Sequence, residues 1–336
     1  MQRISWIDVA RGIGIILVLQ GHALSAHVYR HFIYAFHMPL FFFISGLLFD
    51  YKKNNLATNL KKSVKGILIP YFIFALLSYF LWWIENANLR FEITAFLNHL
   101  SGILYGNSSS LFFNIVLWFL PCLFITKMGF VLLTNFIKNE KLIIFFLLTF
   151  SLLGYFAFIY LPDLVLPFGI ESALTAIVFY GGGSILKTNH LKAIDFKINK
   201  NFFLILGVVL LVLMLSSQVN YEIYSRQIDI RLNNLGNYFL FYLGAISGII
   251  FTVIISRMIN KNYILEKIGK NALVLFVFHP FVFFYLNTIM VAVFGIEVFH
   301  KWKDLLLSPL YTIIAIVVIL AMVFIYKKIK LSILKV

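Results

Sequence analysis

The chain is a succession of apolar runs, each close to twenty residues, joined by short polar connections. A run of that length spans the roughly 30 Å hydrocarbon core of a bilayer as an α-helix. About ten such runs are legible, near 5–25, 33–50, 66–84, 112–134, 141–161, 167–186, 202–218, 235–256, 271–294 and 306–327. Composition points the same way. Of 336 residues, 62% are hydrophobic and only 12% charged, and the mean hydropathy is +0.94. A soluble domain does not carry that profile. The strict alternation of barrel strands is absent. The expected fold is therefore all-α, a polytopic membrane helical bundle forming one domain over residues 1–336. The shorter segment Ile93–Tyr105, flanked by polar residues, reads as an interfacial or re-entrant helix.

The net charge of +15 has a membrane explanation rather than a nucleic-acid one. With ten spans, Lys52, Lys53, Lys61, Lys62, Lys65, Lys187, Lys261, Lys267 and the tail lysines fall on one side. The other side holds only Arg30, Arg90, Arg226, Arg231, Lys301 and Lys303. The positive-inside bias then places both termini in the cytoplasm. Arg3, an apolar stretch and the small residues Ala23-Leu24-Ser25-Ala26 imitate a signal peptide. Asp8 and Arg11 inside that stretch argue that it is retained. The one cysteine, Cys122, excludes an internal disulfide, and the eight histidines show no zinc spacing, so no metal is expected.

Asp8, Arg11 and His22 are the exception within the first run. Aspartate or arginine at mid-bilayer costs roughly 2.5–3.5 kcal/mol even on a lenient insertion scale. Asp8 lies one turn before Arg11, and the eleven steps to His22 return to nearly the same helical face. The first helix thus carries a polar stripe, charged at one end, with an imidazole about 16 Å further on. A buried ion pair beside a hydrogen-bonded core histidine would also account for it. Histidine is the usual base for a hydroxyl nucleophile near neutral pH.

Other polar points recur along the chain, His37 at outer depth and His279 near mid-depth. His37 opens Phe36-His37-Met38-Pro39 near the start of the second run, and His279 lies in Phe278-His279-Pro280 of the ninth. Ser45-Gly46 and Gly181-Gly182-Gly183 suit close helix approach. Lys62 and Lys65 precede Pro70-Tyr71. They obey the positive-inside bias and also suit docking of a nucleotide's phosphates. Trp118, in Trp118-Phe119-Leu120-Pro121, reads as an interface anchor. Glu171 reads either as a helix-start residue or as an orienter for a histidine.

Together these segments resemble the acyltransferase 3 family of membrane O-acyltransferases, particularly its fucose 4-O-acetylase-like branch. The resemblance rests on Ile7-Asp8-Val9-Ala10-Arg11-Gly12 with His22 after ten intervening residues, and on Phe42-Phe43-Ile44-Ser45-Gly46. It continues through Pro70-Tyr71 after a basic stretch, Trp118-Phe119-Leu120-Pro121, and Gly269-Lys270-Asn271 leading to His279. One departure is that the basic stretch carries lysines where the family often has arginines, and lysine is a point charge rather than a bidentate fork. The resemblance implies transfer of an acetyl group from cytoplasmic acetyl-CoA to a hydroxyl of a cell-surface or lipid-linked glycan, in a bacterial cytoplasmic membrane. It implies His22, Arg11, Asp8 and His37 as catalytic, and Arg11, Lys62, Lys65, Tyr71, Ser45 and His279 as holding the donor. Trp118 and Glu171 would meet the acceptor. The expected partners are acetyl-CoA, the glycan and membrane lipids. A transporter of an anionic lipid-linked sugar is the alternative that buried Arg, Asp and His also allow.

Overall fold

The computed structural model describes residues 4–23, 27–85, 100–189, 200–295 and 308–333. Regular structure among them is helical, apart from one isolated bridge between Asp229 and Asn234. The helices are α1 (Ser5–Ala23), α2 (His27–Leu47), α3 (Leu56–Ser63), α4 (Ile69–Glu85), α5 (Phe119–Phe136) and α6 (Glu140–Tyr160). They continue as α7 (Ile170–Asn189), α8 (Lys200–Tyr224), α9 (Tyr238–Ile259), α10 (Tyr263–Lys270), α11 (Ala272–Phe294) and α12 (Ser308–Ile333). A π-turn over Val64–Leu68 joins α3 to α4. Of the expected helix at Ile93–Tyr105, residues 93–99 lie outside the described residues, and 100–105 are helical.

Among the described residues, eight helical segments are long and apolar enough to cross a membrane. These are the continuous α3–α4 rod, α5 to α9, α11 and α12. The protein is a membrane helical bundle. Helices α1 and α2 match two further expected runs and are 19 and 21 residues long. Asp8, Arg11, Gln20 and His22 on α1, and Arg30, His31 and His37 on α2, keep them less apolar than those eight. Helix α2 begins at His27, earlier than its apolar run suggested, because Arg30 and His31 are absorbed into its first turns. Pro39 therefore sits inside the helix rather than at its start. Proline is tolerated within membrane helices where neighbouring groups satisfy the carbonyl it leaves unpaired.

The chain divides into two compact units. The first comprises Met1–His37, Lys200–Gln227 and Leu243–Val336. Its core is α1, where Trp6, Ile7, Val9, Ala10, Ile15, Val18 and Leu19 are buried and which packs on α10, α11 and α12. Glycines set that packing. A methyl group on Gly12 would strike the Leu265 carbonyl, and one on Gly269 would strike the Asp8 carbonyl. Helix α10 thus lies backbone to backbone against the Asp8–Gly12 turn of α1. Without a hydrophobic drive between helices in lipid, close contact between small residues is what holds them. Asp8 is consequently 2% exposed, so its carboxylate is buried in protein and not in lipid.

The second unit comprises Met38–Asn199 and Ile228–Tyr242. Gly46 lies against the Tyr180 carbonyl and Gly183 against the Phe43 carbonyl, so α2 and α7 cross with no room for a side chain at either point. Helix α6 buries only Ile143, Leu147, Ser151 and Gly154, a single stripe at helical spacing. A methyl group on Gly154 would lie 2.6 Å from Thr175 Oγ1 of α7. The remaining face of α6 exposes Phe145, Leu148, Leu152 and Phe156, as a lipid-facing helix does. Asn233 adopts a left-handed conformation (φ +51°) and seals this packing. Its amide donates to the Gly154 carbonyl at 2.7 Å, and its oxygen accepts from the Thr175 hydroxyl at 2.8 Å.

Candidate functional site

The geometry centres on His22, at the end of α1. Its Nδ1 lies 2.6 Å from His279 Nε2 of α11, and the two rings are nearly coplanar, 7° apart. The other nitrogen of His279, Nδ1, lies 2.8 Å from the Phe276 carbonyl and 3.2 Å from that of Leu275. A carbonyl only accepts, so the proton of neutral His279 is on Nδ1. Its Nε2 then accepts, and His22 Nδ1–H donates. Neutral His22 therefore keeps its lone pair on Nε2.

The local sequence explains why the carbonyl is available. In a regular helix the amide of residue 280 would bond to the carbonyl of Phe276. Residue 280 is proline and has no N–H. The acceptor that Pro280 leaves unpaired is the one that His279 uses. The order carbonyl, imidazole, imidazole copies the logic of an oriented base, in which a fixed acceptor sets the tautomer of the group in front of it.

Surrounding residues hold this pair. Gln20, two residues before His22, donates to Ser308 Oγ at 2.9 Å and accepts from Thr312 Oγ1 at 2.9 Å, tying the end of α1 to α12. Tyr34 of α2 presents its ring edge-on to His22 at 6.2 Å. A methyl group on Gly21 would lie 3.1 Å from the Tyr34 ring, so glycine admits that approach. His37 is buried, stands 4.7 Å from the Tyr34 ring, and its Nδ1 donates to the Ile33 carbonyl at 2.8 Å. At the other end of α1, Arg11 Nη1 donates to Asp8 Oδ1 at 3.4 Å, and Arg11 is partly exposed. Asp8, Arg11, His22, His37 and His279 thus all belong to the first unit.

The other expected site residues belong to the second unit. Lys62 and Lys65 are exposed, at the end of α3 and in the π-turn. π-turns are frequent at functional sites. Tyr71 is fully buried and donates its hydroxyl to the Ile103 carbonyl at 2.7 Å. Ser45 is half-buried beside Gly46. Trp118 is buried at the end of a short 3-10 turn over Ile115–Trp118. Glu171 accepts from the Leu166 amide at 3.2 Å in the first turn of α7, where a carboxylate also complements the helix dipole.

Sequence reasoning did not single out Tyr34 or the Gln20–Ser308–Thr312 network. Aromatic and hydroxyl residues are ordinary in membrane helices, so neither group stands out. The dipeptide His279-Pro280 was the available signal for the histidine pair, since a proline leaves unpaired the carbonyl that the histidine takes.

Comparison with curated proteins and with solved structures returned no match. A family model described as an acyltransferase domain matches residues 4–327, which covers α1 through most of α12. The chain therefore belongs to the acyltransferase 3 family of membrane acyltransferases.

Proposed function

We propose that the protein is an O-acetyltransferase that moves an acetyl group from cytoplasmic acetyl-CoA to a hydroxyl of a cell-surface or lipid-linked glycan. The observation that carries this reading is the His22–His279 hydrogen bond, within a family of acyltransferases. Its tautomer puts the basic lone pair of His22 on Nε2. Nε2 takes the proton of the acceptor hydroxyl as the oxygen attacks the thioester carbonyl. The C–S bond then breaks, the departing thiolate receives the proton from His22, and the products are an acetyl ester and the CoA thiol. His279 accepts from His22 throughout and shares the charge of the transient imidazolium.

Arg11 is proposed to stabilise the donor or the negative charge developing on the thioester oxygen, with Asp8 setting the position of its guanidinium. His37 acts on His22 at one remove, through Tyr34. Lys62 and Lys65, exposed on the second unit, suit the phosphates of the CoA nucleotide as point charges. If the chain makes ten spans with cytoplasmic termini in a bacterial cytoplasmic membrane, as the charge bias of its loops supports, those lysines fall on the donor side. The transporter alternative draws no support from the family match.

The test is transfer itself. The purified full-length protein, reconstituted in lipid nanodiscs, is given acetyl-labelled acetyl-CoA and glycans extracted from the envelope of the source cells. The reading predicts a mass gain of one acetyl group on a glycan hydroxyl and release of the CoA thiol. Labelled acetyl-CoA that stays intact with every glycan fraction would rule the reading out.

A further inference from the structure

Close to His22, across the Tyr34 ring, the structure holds a cation with no counter-charge among the described residues. Arg30 lies in the first turn of α2, where a positive charge opposes the helix dipole and no acidic residue accompanies it. It forms no ion pair among the described residues. Its Nη2 donates to the Tyr34 hydroxyl at 3.0 Å, and its guanidinium carbon stands 4.9 Å from the centre of the Tyr34 ring. Its Nε is buried and has no hydrogen-bond partner among the described residues.

A buried donor left unpaired is disfavoured, and more strongly when it belongs to a charged group. Helix stability does not account for the placement, and neither does a neighbouring carboxylate. Tyr34 explains only part of it, because it fixes the guanidinium through one Nη hydrogen. The Nε–H and the remaining Nη hydrogens form the planar fork that matches a carboxylate or a phosphate. The same Tyr34 ring stands edge-on to His22 at 6.2 Å, so this fork lies one aromatic ring away from the proposed base.

We propose that Arg30, held by Tyr34, binds an oxyanion carried by the acceptor glycan, either a uronate carboxylate or a sugar phosphate, and so places the neighbouring hydroxyl at His22. This rests on the acyltransferase reading and adds a substrate class to it: an anionic saccharide rather than a neutral one. Arg30 and Tyr34 act as positioning residues and take no part in the bond changes.

The test uses the full chain in nanodiscs of zwitterionic phosphatidylcholine and three soluble probes built on the same pyranose ring. These are methyl glucuronide, glucose 1-phosphate and methyl glucoside, with binding measured by calorimetry. Wild-type protein should bind one of the two anionic sugars on the order of tenfold to a hundredfold more tightly than the neutral one. The tighter of the two identifies the oxyanion. R30Q should bring that affinity down to the neutral value, R30K should retain an intermediate preference, and Y34F should narrow the gap between anionic and neutral sugars. Equal binding of all three probes by wild-type protein, or no binding of the anionic ones, overturns the proposal. So does a preference that survives in R30Q. An Arg30 effect that arises only when anionic lipid is added to the discs, without selectivity for the soluble sugars, assigns the residue to a lipid headgroup and also overturns it. Acetyl transfer is measured in the same discs. Charge-selective binding with no transfer refutes the acyltransferase reading and leaves the oxyanion site standing, and transfer with no selectivity does the reverse.

Discussion

Helices α1 and α7 both carry residues that look out of place in a membrane, and they use them differently. On α1 the exceptions are polar, and each is engaged: Asp8 with Arg11, Gln20 with Ser308 and Thr312, His22 with His279. On α7 the exceptions are Gly181, Gly182 and Gly183. Two of them are steric, since Gly181 faces Leu147 and Phe130 and Gly183 faces the Phe43 carbonyl, whereas Gly182 has open space. A membrane bundle needs both kinds of exception, because small residues let helices meet while polar ones satisfy each other or act on a ligand. Burial does not separate the two kinds. What separates them is whether the residue makes room for a neighbouring helix or commits its side chain to a hydrogen bond.

The sharpest contrast lies among the glycines. G46A puts a methyl group into the Tyr180 carbonyl and should lower stability by about 1–3 kcal/mol, read as an earlier thermal unfolding in detergent. G182A meets nothing within 4 Å and should stay within about 0.5 kcal/mol of wild type. If both behave alike, the steric account of the α2–α7 crossing is wrong.

On α1 the corresponding test is R11K. It keeps the charge and loses the planar fork, so turnover should fall about tenfold while the protein still inserts. Full activity would reduce Arg11 to a counter-ion of Asp8. A smaller effect is expected for the second unit's lysines. Neutralising Lys62 and Lys65 together as glutamine should raise KM for acetyl-CoA several-fold, on the order of one lost phosphate contact each, with kcat nearly unchanged. An unaltered KM would limit those lysines to setting topology. The smallest kinetic effect belongs to Y71F. The Tyr71 hydroxyl is occupied by the Ile103 carbonyl, so the change should cost about 1 kcal/mol of stability and leave KM for acetyl-CoA where it was. A raised KM would return Tyr71 to the donor site.

The helical fold was legible from apolar run length, because a bilayer leaves a spanning chain few alternatives. His22 was legible for the same reason, as a polar group where lipid would reject one. Its partner was not. His279 stands out in the sequence as a third imidazole, and the family resemblance implies that it holds the donor. The rotation of α11 about its axis is not encoded in a helix that is apolar almost all round, and 257 residues separate the two histidines. Gly12 and Gly269 were visible as motif members, yet their meeting through α10 depends on a contact between distant segments. The start of α2 was misplaced because Arg30 and His31 resemble a loop when read by hydropathy alone. Both lie in the first two turns of α2. Asn233 went unread because its role depends on a left-handed turn and two partners on other helices.

The central claim is that His22 and His279 act as one oriented base. It is tested most directly by a double-mutant cycle on acetyl transfer, using H22A, H279A and the double variant at equal inserted amounts. H22A should lose a factor on the order of 10² to 10⁴ in kcat/KM. H279A should also be impaired, and the double variant should be no worse than H22A alone, because groups that work as a unit do not add. Near-normal transfer by H22A, or an H279A loss of the same size in the presence and in the absence of His22, would contradict the account.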